Sequence, residues 1–193
     1  MLDAAKAAGA DQADAVASQG ASISIDVRNG SLEHAERSEG VDIGLRVFVG
    51  QRSAIVSGSD VRPATIATMA ERAVAMAKEA PEDPYSRLAH GAELSLEHAQ
   101  LDLEMADASP EPTAAALEED ARRAEATAMA VQGVTQMDAA GAGYSSSNVF
   151  LATSNGFSGG VAYTGRSTSA VAIAGTGTGM ERDYDADTRI FQS

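Results

Sequence analysis

The sequence predicts an α+β chain of two lobes, each an antiparallel β-meander packed against a long α-helix. Three observations lead there: apolar residues alternate over 41–49 between short connections, an apolar stripe of helical period begins at Pro63, and helix and strand patterns recur after a proline-bearing stretch. The boundaries that follow are an N-terminal lobe over 1–85 with its helix at 63–80, a linker over 86–112, and a second lobe over 113–193 expected to be incomplete at its C-terminus.

Leu2 to Ala8 reads as a short helix, stopped by Gly9 in a left-handed C-terminal position. Ile23, Ile25 and Val27 then alternate with Ser22, Ser24, Asp26 and Arg28, and Asn29-Gly30 supplies the positive φ angles of a tight hairpin. That turn outweighs the glycosylation sequon Asn29-Gly30-Ser31. A partner strand is expected over Leu32 to Ser38. After Gly40, Val41, Ile43, Leu45, Val47 and Val49 share one strand face, with Arg46 and Phe48 on the other. Gly50-Gln51 turns into a strand over Arg52 to Ser57, and none of these connections has room for a crossover helix.

Pro63 opens the first long helix where its missing N–H costs nothing, and Ile66, Met69, Ala70, Ala73, Val74 and Ala77 form the stripe that covers the sheet. Pro81 and Pro84 end it. Thr113 caps a second helix through Val131, with Leu117, Ala121, Ala124 and Ala128 inward and Gly133 beyond its end. Val149, Leu151 and Thr153 then run to a second hairpin at Asn155-Gly156, and Ser167 to Ala174 alternates again.

Composition narrows the function. A net charge of −14 opposes a phosphate backbone, so no nucleic acid is expected as a ligand. The absence of Cys removes disulfides, thiolate zinc sites and cysteine nucleophiles. No window reaches the apolar length of a membrane span, and the first residues lack a secretory pattern, so no membrane partner is expected and a cytoplasmic location is.

The motifs that carry chemistry fall short one by one. Gly156-Phe157-Ser158-Gly159-Gly160 fits G-x-S-x-G, but no helical period follows, and His34, His90 and His98 all lie upstream, so a hairpin loop is expected. Gly175, Gly177 and Gly179 place Met180 where a dinucleotide fingerprint needs glycine. Asp183, Asp185 and Asp187 resemble a calcium loop, but Thr188 stands at its obligatory glycine; as a strand over 181–188 they form, with Glu181, a solvated acidic edge. Neither Glu33-His34 nor Glu97-His98 has a second histidine at helical spacing. No catalytic, cofactor-binding or metal-binding residue is assigned.

Several strings carry a resemblance. Glu36 to Val49, then Ala75-Met76-Ala77 with Ala80-Pro81-Glu82-Asp83-Pro84-Tyr85, Ala152 to Gly160, and Gly179-Met180-Glu181-Arg182-Asp183-Tyr184-Asp185 together resemble the PmbA (TldE) branch of the TldD/PmbA family, in order over nearly the whole chain. The match departs at Ala186, where the family pattern continues Tyr-Ser, and over about 86–112. The resemblance implies an N-terminal portion of a longer chain, belonging to a cytosolic two-subunit protease. A TldD-type homologous subunit carries zinc in an H-E-x-x-x-H motif, and the PmbA-type subunit lacks it. The pair matures peptides and degrades unfolded ones, and the older label, modulator of DNA gyrase, describes an indirect effect. No zinc ligand transfers to a position here. The expected role is thus a non-catalytic metalloprotease subunit in a heterodimer, with a homo-oligomer, a competent metallopeptidase cut short of its zinc site, and a free-standing peptide-binding module as alternatives. Sheet edges would hold an extended peptide, and Phe48 and Arg46 would serve either a subunit interface or a second core face.

Overall fold

The computed structural model describes residues 1–95 and 103–191. Along the chain run α1 (Leu2–Ala8), β1 (Gln12–Arg28), β2 (Ser31–Val49), β3 (Arg52–Gly58), α2 (Pro63–Glu79), α3 (Ala114–Met129), β4 (Val134–Thr153), β5 (Ser158–Ala174) and β6 (Glu181–Arg189), with 3₁₀ turns at Gly91–Glu93 and Gly177–Gly179. The strands pair in the order β3-β2-β1-β4-β5-β6. The α+β class with antiparallel strands and long helices stands, and the two meanders are joined in one sheet by the pairing of β1 with β4. Gly20 lies against Ser146 while Gly141 lies against Ile25, so these two strands are antiparallel as well. His98 and the sequence 96–102 around it lie outside the described residues.

Backbone chemistry explains the connections. Gly9 takes φ +100° at the end of α1, and Asn29 (φ +53°) with Gly30 (φ +69°) closes the β1–β2 hairpin. Gly40, expected between two strands, continues one: β2 runs unbroken from Ser31 to Val49. Its first twelve residues are exposed, whatever face they lie on. Without a buried face they show no alternation, and so the sequence concealed a strand there. Thr113 caps α3 as expected, its hydroxyl accepting the Ala116 N–H at 3.2 Å.

Two compact units form, and neither is contiguous in sequence: one gathers Met1–Gln19, Gly40–Leu103 and Asn148–Val161, the other Gly20–Glu39, Glu104–Ser147 and Ala162–Ser193. In the first, Ala13, Ala15, Ile43, Leu45 and Val47 meet Met69, Ala70, Ala73, Val74 and Ala77 of α2 and Ala5 of α1. The opposite strand face buries Phe48, and the Arg46 guanidinium lies 5.2 Å from its ring centroid while pairing with Asp14. Leu88 is buried too, its N–H reaching the Gln12 side chain at 3.3 Å, and the Ala89 carbonyl accepts from Asn155 at 2.8 Å. Part of the expected linker is therefore fastened to this unit. Next to it, Arg87 grips both oxygens of Glu93 at 2.6 and 2.7 Å.

In the second unit, Ile23, Ile25 and Val27 pack beneath Leu117 and Ala121 of α3, with Met137, Ala140 and Ala142 of β4. The sequence reading placed these isoleucines under the first long helix. They belong to α3 because β1, at 17 residues, is long enough to contribute its two ends to different cores.

Gly175 holds φ +82° between β5 and β6, and a Cβ there would collide with the Gly179 carbonyl. Gly175→Ala should lower stability by roughly 2 kcal/mol or more in denaturant titration, whereas Gly40→Ala, with open space around it, should stay within about 0.5 kcal/mol. Glu93 is held at a pKa of about 2, from an ordinary 4.5, chiefly by the Arg87 hydrogen bond and then by the His90 N–H. A lowered carboxyl pKa contributes above the ordinary range and fades as pH falls through the folded value. The Glu93 side-chain carboxyl ¹³C shift should therefore take its main step only towards pH 2; a midpoint near the ordinary value would show the clip to be open in solution.

Candidate functional site

The second unit carries a groove of about 630 Å³ between α3 and the β5–β6 hairpin. Its floor is Ala170 and Ala172, its helix wall runs from Asp120 to Val131, and its outer wall is β6. The register pairs Ala172 with Asp183, Ala170 with Asp185 and Thr168 with Asp187. Residues opposite one another in an antiparallel pair share a face. Ala170 and Ala172 pack against the core under α3, so Glu181, Asp183, Asp185 and Asp187 all lie on the α3 side of the sheet. All four are exposed. The solvated acidic edge expected from the sequence is present, with Tyr184 on the other face, 77% exposed.

Among the described residues three carboxylates are buried, and each is tied to a donor from elsewhere in the fold. Asp120, 8% exposed, gives one oxygen to Arg123 on its own helix and the other to Arg166 of β5. Glu125 accepts the Asn29 N–H at 2.6 Å on one oxygen and the Gly30 N–H at 2.7 Å on the other. It thereby clamps the hairpin turn to α3 with charge-assisted bonds. Asp14 pairs with Arg46. Sequence inspection missed all three. Asp120 and Arg123 stand at helical spacing and were legible as a pair, but Arg166 and Asn29 come from distant segments that leave no local signal.

Gly156 turns at φ +95° and Ser158 begins a strand, so the G-x-S-x-G serine sits in a hairpin, without the helix a nucleophile elbow requires. The three glycines 175, 177 and 179 form the β5–β6 connection. His34 is exposed beside Glu36 at 3.5 Å, and His90 lies 3.0 Å from Arg87. Among the described residues no three His, Cys, Asp or Glu side chains converge to hold a metal. A zinc ion thus has no fitting donor set there. None of the described helices is long and apolar enough to cross a membrane.

Removing the Asp120 charge tests the anchor. Asp120→Asn leaves two guanidinium groups without their shared anion and should lower stability by about 2 kcal/mol, less than a fully buried pair because both arginines reach solvent. Thermal unfolding followed by circular dichroism reads it; an unchanged midpoint would mean that water already satisfies these groups.

Comparison with known proteins places this geometry. Residues 13–77 match the family model for PmbA/TldA metallopeptidase domain 1, and residues 107–192 match that for the PmbA/TldA metallopeptidase central domain. Over 175 residues the chain is 28% identical to the metalloprotease PmbA of Escherichia coli O157:H7, covering 90% of this chain and 38% of that one. The solved structure of TldE from Thermococcus kodakarensis superposes with a TM-score of 0.77 at 14% identity, covering 98% of this chain and 42% of that one. A Bacteroides thetaiotaomicron protein named as a modulator of DNA gyrase gives 0.78 at 16%, covering 98% and 43%. This chain spans about two fifths of the length of these relatives.

Proposed function

The chain belongs to the PmbA/TldD metallopeptidase family, on its PmbA (TldE) branch, and from that premise we propose that it acts as the non-catalytic subunit of a two-subunit zinc metalloprotease in the cytoplasm. The observation that carries the reading is the pair of family-domain matches, in order, over 13–77 and 107–192. In this proposal a TldD-type homologous subunit supplies the zinc and the chemistry, which is Lewis-acid activation of water for amide hydrolysis. The present chain contributes surface to hold peptides that are being matured or unfolded peptides that are being degraded.

The internal chemistry supports that division. A general base needs a lone pair open to the water it activates. The buried carboxylates Asp120 and Glu125 spend both oxygens on arginines or backbone N–H groups, and Asp14 is paired with Arg46. They hold strands, turn and helix together. Strand edges remain for peptide, through backbone bonds that ask little of its sequence. At the β3 edge, whose strand carries no acid, that suits a protease of broad range.

Reconstitution tests the proposal. Mixing the chain with a TldD-type subunit and assaying cleavage of an unfolded peptide should show activity that depends on both components and is abolished by chelating zinc. Full activity from the TldD-type subunit alone would overturn the subunit role.

A further inference from the structure

We propose that β6 is a docking edge for one class of peptide: an extended segment carrying Lys or Arg at alternate positions, added to the sheet as a further strand. The inference deepens the peptide-holding reading, on which its biological sense rests, by naming the charge pattern of what is held.

The backbone comes first. Among the described residues β6 ends the strand order and pairs with β5 on one side. In an antiparallel ladder successive residues direct their N–H and C=O groups to opposite sides. The Tyr184 N–H bonds to the Asp183 carboxylate at 2.8 Å and the Ala186 N–H to the Asp185 carboxylate at 2.9 Å. These two donors are met by side chains of their own strand, so they mark the side turned away from β5. A carboxylate folded back on its neighbour's N–H blunts an edge that would otherwise recruit strands indiscriminately.

The side chains then select the occupant. Glu181, Asp183 and Asp185 lie in a row, exposed, and no cation pairs with them among the described residues. An arriving strand with Lys or Arg opposite Asp183 and Asp185 offers each carboxylate a cross-strand partner. Each Asp can then give up its neighbour's N–H, which passes to a peptide carbonyl. Nothing polar is left unmet in the exchange. A second copy of β6 is disfavoured as occupant, since it would set carboxylate against carboxylate, and the chain's charge of −14 repels acidic segments generally.

The test uses the 193-residue chain and labelled ten-residue peptides in fluorescence anisotropy at low salt. An alternating Lys-Thr peptide should bind about tenfold or more tightly than its Glu-Thr counterpart, and Tyr184 and Ala186 amide exchange should slow in its presence. N-methylating the peptide's alternate backbone nitrogens keeps the charge and blocks strand addition, and should abolish binding. The double variant Asp183→Asn with Asp185→Asn, confirmed folded by circular dichroism, should weaken it about tenfold, near threefold per carboxylate. Undiminished binding of the methylated peptide, or no protection of the two amides, would overturn the proposal in favour of diffuse attraction to an acidic protein. Amide protection arising from self-association, detected by sedimentation, would overturn it in favour of a second copy. Lys-peptide binding without any effect on a TldD-type partner's cleavage would sink the subunit reading and leave the edge intact. Stimulated cleavage that is indifferent to the Asn variants, with no Lys preference in binding, would do the reverse.

Discussion

Alanine sets the terms of this fold. Where α2 meets its strands, Ala70, Ala73 and Ala77 are fully buried, and where α3 meets its own, Ala121 and Ala140 are. A methyl group lets helix and strand backbones approach closely, but it removes little apolar area from water, on the order of 0.8 kcal/mol per buried carbon. Among the described residues the largest fully buried side chains are only Ile25, Leu45, Leu117, Val27 and Val47. Cores this thin leave more of the work to directional bonds. Strands of 17 to 20 residues multiply the backbone ladder, and buried carboxylates fix the helices at chosen points. Glu125 shows the economy of the arrangement, because one side chain satisfies both N–H groups of a hairpin turn and ties the turn to α3.

The same constraint decides what a reader of the sequence can see. Helices announce themselves through period and capping, so α1, α2 and α3 were legible almost to the residue, with Gly9, Pro63 and Thr113 as their punctuation. Strands announce themselves only where one face is buried. Ile43 to Val47 alternate because α2 covers them, while residues 31–40, exposed on both faces, carry no pattern and were broken at Gly40. Which helix covers which strand segment was beyond reach, since Ile23 and Ile43 look alike in sequence and their sorting depends on strand length and pairing. The acidic face of β6 was legible, because a period of two needs no tertiary knowledge. Its setting beside a groove of small residues was not.

Phe48 and Arg46 illustrate how a second face is filled without a second layer of helix. The ring is buried, the guanidinium lies over it, and Asp14 neutralises the cation. The three groups together make a polar lid over an apolar plug. Leu88 and the backbone around it cover the same face from a proline-bearing stretch with no regular structure, held by single hydrogen bonds to Gln12 and Asn155. Such a segment reads as linker in composition because the bonds that fasten it to the fold come from partners remote in sequence.

Electrostatics separates the carboxylates that build from those free to bind. Asp120 and Glu125 have both oxygens occupied by arginines or backbone N–H groups and Asp14 is held by Arg46, so a ligand reaching them would have to compete with an anchor. At Asp183 and Asp185 the donor is the neighbouring backbone N–H of the same exposed strand. That bond is made where water competes for both partners, so its net strength is small and exchanging it costs little. A protein with a charge of −14 could place surplus acid anywhere on its surface. Placing it on an outermost strand, folded over the donors a neighbouring strand would seek, makes the edge closed to neutral and acidic chains and open to one that brings its own cations. Selectivity there needs no pocket shaped to a side chain; it follows from which partner can replace both interactions at once.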